Sequence, residues 1–104
     1  MNPLTPSQSL WVEAFGRPGK YAPDLDSAKV EAMIDSLPDS REKLAVRLRF
    51  GFEGTPATLE EIGKRLPRAD GTLGVSRETA RKILAVAMRH LRRRRACWEA
   101  ARMR

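Results

Sequence analysis

One cysteine, Cys97, and one histidine, His90, are the whole stock of thiol and imidazole in these 104 residues. A lone thiol excludes an internal disulfide framework and any multi-cysteine metal site, and it fits a reducing compartment. His90 stands among arginines with no nucleophile and matching base, so a solvated or DNA-facing role is expected for it rather than catalysis. Glycine-rich phosphate loops are missing, and the adjacent Glu60 and Glu61 are accounted for by helix capping and the helix dipole. No catalytic residue, metal or cofactor is expected. Apolar runs never approach the ~20 residues of a membrane span. The first twenty residues lack the basic start and apolar stretch of a secretory leader, so a cytoplasmic protein without a membrane partner is expected. Aromatics are few: Trp11, Phe15, Tyr21, Phe50, Phe52 and Trp98. A chain this short buries only roughly 60–70% of its unfolded surface, so Leu, Ile, Val, Ala and Met must build a modest core.

Acid is nearly absent from one end. Residues 1–76 carry 10 Lys/Arg against 11 Asp/Glu, whereas residues 77–104 carry 10 Lys/Arg against Glu78 and Glu99 alone. The net charge of +7 therefore lies wholly in the last segment. A concentrated basic stretch suits a polyanion, because each neutralised phosphate releases condensed counterions. The plainer reading is a solvated tail, and charge alone favours nucleic acid over it.

Helical punctuation recurs along the chain. Thr5-Pro6-Ser7-Gln8 supplies a cap, a first-turn proline and a returning Gln; Leu10, Trp11, Ala14 and Phe15 share a face that Gly16 ends. Residues 17–24, with Pro18, Gly19 and Pro23, read as a linker, and the arm folds back on the rest or presents Trp11 and Phe15 to a partner. Asp26 caps a helix bearing Val30, Met33, Ile34 and Leu37. Pro38 breaks it, and another runs from Asp39 to near Phe50 with Leu44, Ala45 and Leu48 inward. Thr58-Leu59-Glu60-Glu61 is a capping box, and its helix buries Leu59, Ile62 and Leu66. Gly63 costs that helix about 1 kcal/mol relative to Ala, which implies a second backbone close by. Ser76 caps the last helix, striped by Ala80, Ile83, Leu84, Ala87 and Leu91, with Val75 placed to staple onto Ala80. This helix is expected to run on through Trp98, while Trp98, Cys97 and Met103 cover the core or a partner surface. No strand alternation appears, so the fold class is all-α: an arm over residues 1–25 and a helical domain over residues 26–104 with a basic extension.

Two short helices, the second basic and Ser-capped, describe a helix-turn-helix whose second member enters the major groove by its first turn. Arg77 can fork onto guanine, Glu78 can accept from cytosine N4, and Lys82 one turn on faces the same groove. Ser76, Arg81 and the later Arg93 and Arg94 are placed for phosphates, which fix position rather than sequence. A helical hairpin with a charged solvent face is the alternative.

From Leu37 to about Arg95 the sequence resembles the fourth, C-terminal region of primary-type bacterial sigma factors, which reads the promoter −35 element. The matching runs are Leu37-Pro38, Arg41-Glu42, Arg47-Leu48-Arg49-Phe50-Gly51-Phe52, the stretch from Thr58 to Leu66, and Gly74-Val75-Ser76-Arg77-Glu78-Thr79-Ala80-Arg81. The resemblance implies that Arg77, Glu78 and Lys82 touch −35 bases and that Arg47, Arg49 and Arg81 touch the DNA backbone. It implies that Leu44, Leu48, Phe50, Phe52 and Ile83 grip the flap of the RNA polymerase β subunit. Arg89 and Arg92 stand where the family meets an acidic activator or other transcription factor.

The pattern departs from the family in three places. Gln is usual where Lys82 stands, so a different base preference is expected, because Lys is a point charge favouring guanine or phosphate. Residues 67–73, with Arg68, lengthen the turn by seven. They form a tolerated surface loop, or Arg68 adds a DNA contact, or the recognition helix docks at a new angle. Nothing here resembles the aromatic-rich sigma regions that melt promoters, which implies a regulator rather than a full initiation factor. Two alternatives keep less of the resemblance. One is a stand-alone helix-turn-helix repressor or phage packaging or recombination accessory, and the other is a polymerase-binding protein without sequence readout.

Overall fold

Each long helix begins where the sequence offers a capping oxygen. The computed structural model describes residues 3–16 and 22–103. The rest of the expected linker, residues 17–21 including Pro18 and Gly19, lies outside the described residues. Among them run α1 (Pro6–Phe15), α2 (Ser27–Asp35), α3 (Ser40–Arg49), α4 (Leu59–Arg65), α5 (Arg77–Arg92) and α6 (Arg95–Ala101), with isolated bridges but no strand. Thr5, Asp26, Asp39, Thr58 and Ser76 each accept a hydrogen bond from the first turn they precede. At α1 and α4 the bond is reciprocal, since Gln8 and Glu61 reach back to the cap backbone. An exchange of this kind satisfies orphan amide groups and sets the helix start within one residue. The fold is all-α, as the apolar periodicity implies.

Two apolar clusters meet along α5. Ala45, Leu48, Ile62, Leu66 and Ala80 join α3, α4 and the first turns of α5, with Val75 packed against them. A larger cluster collects Leu10 and Ala14 of α1, Val30, Met33 and Ile34 of α2, Ala87, Met88 and Leu91 of α5, and Trp98 and Ala101 of α6. Leu84 touches both clusters, so α5 is the shared spine. The N-terminal helix folds back: Arg92 Nε donates to Ala14 O at 2.8 Å, a cation placed on the carbonyl end of α1.

One expectation fails at the C-terminal side. α5 does not run on through Trp98; it ends at Arg92, and α6 restarts at Arg95. The break turns the chain so that Trp98 is only 3% exposed and its Nε1 donates to Leu91 O at 2.9 Å. Burying about 200 Å² of indole is worth up to roughly 5 kcal/mol, well above the one or two helical hydrogen bonds given up. Cys97 and Met103, by contrast, are exposed. Beyond α6, Asp26 N donates to Ala101 O and Met103 N to Asp24 O, an antiparallel clasp between the segment before α2 and the segment after α6.

Candidate nucleic-acid interface

Gly63 fixes how α4 meets α5. Val75 N donates to Gly63 O at 2.7 Å, and a Cβ added at Gly63 would stand 2.6 Å from Val75 O. The close second backbone inferred from a costly mid-helix glycine is therefore the segment leading into α5. Ser76 then caps α5, its Oγ accepting from Thr79 N at 3.0 Å and donating to Thr79 Oγ1 at 2.9 Å. The result is a helix-turn-helix: a short α4 braced across a 16-residue, strongly amphipathic α5 that is anchored in the core at Ala80 and exposes Arg77, Glu78 and Thr79.

The exposed ridge of α5 carries Glu78, Lys82, Ala85 and Arg89 at helical spacing, with Arg77 at its tip. Arg77, Glu78 and Lys82, predicted as base readers, thus share one accessible end. Glu78 is held by Arg81, whose Nε lies 3.0 Å and Nη2 2.5 Å from its carboxylate oxygens. These hydrogen bonds, ahead of the nearby charges of Arg81, Lys82 and Arg77, hold the Glu78 carboxyl below its ordinary range, and they raise the Arg81 guanidinium. Glu78 is therefore an anion lying beside Arg81 on the exposed face of the helix.

The residues predicted for the DNA backbone divide. Arg49 and Arg81 line one groove of about 290 Å³ beside α5, together with Glu13 and with Arg92, predicted to meet an activator, and Ser76 sits at the helix tip. Arg49 also donates to Ala57 O at 3.2 Å. Arg47 stands apart from this groove. It bonds Glu31 at 3.0 Å and Glu53 at 2.5 Å and lies over the Phe52 ring, and these carboxylates, Glu53 first, raise its pKa. Arg94 donates to Ser36 O beyond the end of α2 at 3.3 Å. Arg93 caps the far end of α5, roughly 24 Å from Arg77 at 1.5 Å per residue.

The apolar residues predicted to grip polymerase also divide. Leu48 and Phe50 are interior, 5% and 9% exposed, because α3 turns both into the clusters beneath. Leu44, Phe52 and Ile83 remain partly accessible. Ile83 lines a groove of about 280 Å³ with Val86, Lys82, Asp39, Arg41 and Glu42, between the start of α3 and α5. Sequence reasoning missed Glu42, a nearly buried carboxylate 2.8 Å from His90 Nδ1. His90 accordingly faces α3 rather than solvent or a ligand on the exposed ridge. Only a pairing across 48 positions carries that fact, and no local pattern in the sequence encodes it.

Among the described residues no group of three or more His, Cys, Asp or Glu could hold a metal ion. None of their helices is long and apolar enough to cross a membrane. Residues 33–93 match the family described as Sigma-70, region 4. The curated relatives include the RNA polymerase sigma factor SigA of Listeria monocytogenes serovar 1/2a and that of Listeria innocua serovar 6a. Each is 42% identical over 70 residues, which is 66% of this chain and 17% of the relative. The chain thus spans less than a fifth of the length of these relatives. No solved structure matches the chain. The matched stretch runs from within α2 to the cap of α5, enclosing the whole helix-turn-helix: the chain belongs to the sigma-70 region 4 family.

Proposed function

We propose that the first turn of α5 reads double-stranded promoter DNA of the −35 type while the groove between α3 and α5 receives the β-subunit flap of bacterial RNA polymerase. One observation carries the DNA half. Arg77, Glu78 and Lys82 stand together on the exposed end of a helix whose pose is set by backbone contact at Gly63, in a chain of the sigma-70 region 4 family. A forked Arg donor, a carboxylate acceptor and a point-charge Lys are the side chains that distinguish base edges in the major groove. The groove holding Arg49 and Arg81 supplies charge for the flanking phosphates. For polymerase, the accessible candidates are Ile83 and Val86 at the groove with Leu44 near them, while Leu48 and Phe50 shape the surface from beneath.

The test uses the full chain, tagged, with isolated β flap and with two duplexes, one carrying a −35 element and one scrambled. Retention of the flap is expected, with loss on Val86→Glu but not on Arg77→Ala. Arg77→Ala should cost about 1–3 kcal/mol in binding the −35 duplex and relax discrimination at one base pair. A correctly folded protein that neither retains the flap nor prefers the −35 duplex would overturn this reading.

A further inference from the structure

Residues 67–73 are an ordered hairpin inserted where the two helices of the motif meet. Pro67 and Leu73 pair as an antiparallel rung, Arg68 N donates to Thr72 O at 2.7 Å, and Gly71 N closes the turn onto Arg68 O at 3.0 Å. Gly71, at φ +88°, takes the left-handed position that a three-residue hairpin loop needs after its turn. Asp70 locks the tip by accepting from both Thr72 N and Thr72 Oγ1. Gly74 N then donates to Leu66 O at 2.8 Å, seating the base of the hairpin on the end of α4.

The Arg68 side chain leaves this hairpin toward α5. Its Nε donates to Gly74 O, and its Nη2 lies 4.0 Å from the Cβ position of Gly74. Gly74 is two residues before the Ser76 cap, so chain geometry keeps the guanidinium within roughly 12 Å of the tip of α5. Along a duplex this is a span of roughly three or four nucleotides of one strand. Both Nη nitrogens are without a hydrogen-bond partner among the described residues, while the Nε bond fixes the plane of the fork. An arginine already tethered in this way loses less freedom on gripping a phosphate than a free surface arginine does. Lys64 and Arg65 at the end of α4 and Arg77 at the start of α5 are also exposed, and Asp70 is the hairpin's one acidic side chain.

We propose that the hairpin is a second DNA-contacting element, in which Arg68 holds a backbone phosphate beside the base-reading turn of α5. The inference rests on the reading that α5 binds DNA and adds to it a contact outside the helix-turn-helix. DNA is favoured over a protein partner because the only large apolar group on the hairpin is Leu73. Leu73 belongs to the rung adjacent to that of Arg68, and neighbouring rungs point to opposite faces.

The experiment measures affinity of the full chain for the −35 duplex and the scrambled duplex from about 50 to 200 mM salt, where phosphate contacts dominate. Arg68→Gln keeps an N–H donor for Gly74 O but removes the charge, and Asp70→Asn keeps the acceptor for Thr72 while removing a like charge. Circular dichroism checks that both variants fold. On both duplexes Arg68→Gln is expected to flatten the slope of log K against log salt by about 0.9, the value for one phosphate. Asp70→Asn is expected to tighten both duplexes at low salt. Wild-type binding with an unchanged slope in Arg68→Gln overturns the hairpin contact and leaves the α5 reading standing. Absence of wild-type binding to either duplex overturns both. Loss of flap retention on Leu73→Ser, with unaltered DNA binding in Arg68→Gln, would instead assign the hairpin to a protein partner.

Discussion

Replacing Gly63 by alanine sets two backbone effects against each other. Alanine favours a helix interior over glycine by about 1 kcal/mol, so propensity alone predicts stabilisation. Against this, the new Cβ would sit 2.6 Å from Val75 O and 3.3 Å from Ser76 O. Ordinary contact begins near 3.4 Å, so the incoming segment must retreat by the difference, 0.8 Å at the nearer atom. That segment is backbone and cannot step aside as a flexible side chain would. Overpacking of this kind costs about 1–3 kcal/mol. The retreat also stretches the Val75 N to Gly63 O bond, now 2.7 Å, a contribution of about 1 kcal/mol. The balance is a net destabilisation of about 1–3 kcal/mol, or a fall in Tm of roughly 4–24 °C for a domain of this size. Thermal melts by far-UV circular dichroism would measure it, with Lys64→Ala as the exposed neighbour expected to stay within about 0.5 kcal/mol of wild type. A Gly63→Ala protein that melts at or above the wild-type temperature would refute the claim that the meeting of α4 and α5 is sterically set.

Trp98→Ala should remove about 3–5 kcal/mol, because the indole fills the cluster where α1, α2 and α5 converge, and a denaturant titration would show a midpoint no lower than wild type if that packing were incidental. Ser76→Asp preserves a side-chain cap and should leave the melting temperature close to wild type while abolishing binding to the −35 duplex. Undiminished binding would place the phosphates elsewhere than at the tip of α5. Stability should fall below about pH 4.3, where unfolded glutamates take up protons. The hydrogen bond from the Thr58 backbone, chiefly, holds the Glu61 carboxyl below its ordinary value, so its contribution is present above that value and lost as pH falls through the folded one. Glu61→Gln keeps the reciprocal cap, so its acid loss should be smaller than that of the wild type, in which Asp70 and Glu78 also lose bonded carboxylates; parallel curves for the two proteins would contradict this.

What could be read in advance was local. Caps at Thr5, Asp26, Thr58 and Ser76 depend on one side chain and the next three amides, so they located four helix starts, whereas Asp39, read as the first residue of its helix, is the cap before it. Gly63 was legible for a related reason, since a residue that weakens its own helix must answer to a neighbour. The break at Arg93 and Arg94 was not legible, because nothing near it is a helix breaker and the turn exists only because Trp98 finds a pocket made by other helices. The same holds for the arginines. Composition counted Arg47, Arg92 and Arg94 as available charge, yet each is bonded to a group far away in sequence: Glu31, Ala14 and Ser36 respectively. Likewise, apolar identity could not tell Leu48 and Phe50, which are interior, from Ile83, which borders a groove.

The clasp between the segments flanking α2 and α6 imposes an order on folding. Lys29 Nζ reaches Ala100 O across 71 positions, and closing a loop that long costs about 4 kcal/mol of chain entropy before any contact offsets it. The cluster under α4 needs nothing beyond Leu84, whereas the larger one waits for Trp98 and Ala101. As the chain leaves the ribosome, the half built from α3, α4 and the first turns of α5 can therefore take shape first, with the groove of basic side chains following when the last helix swings under to seat α1.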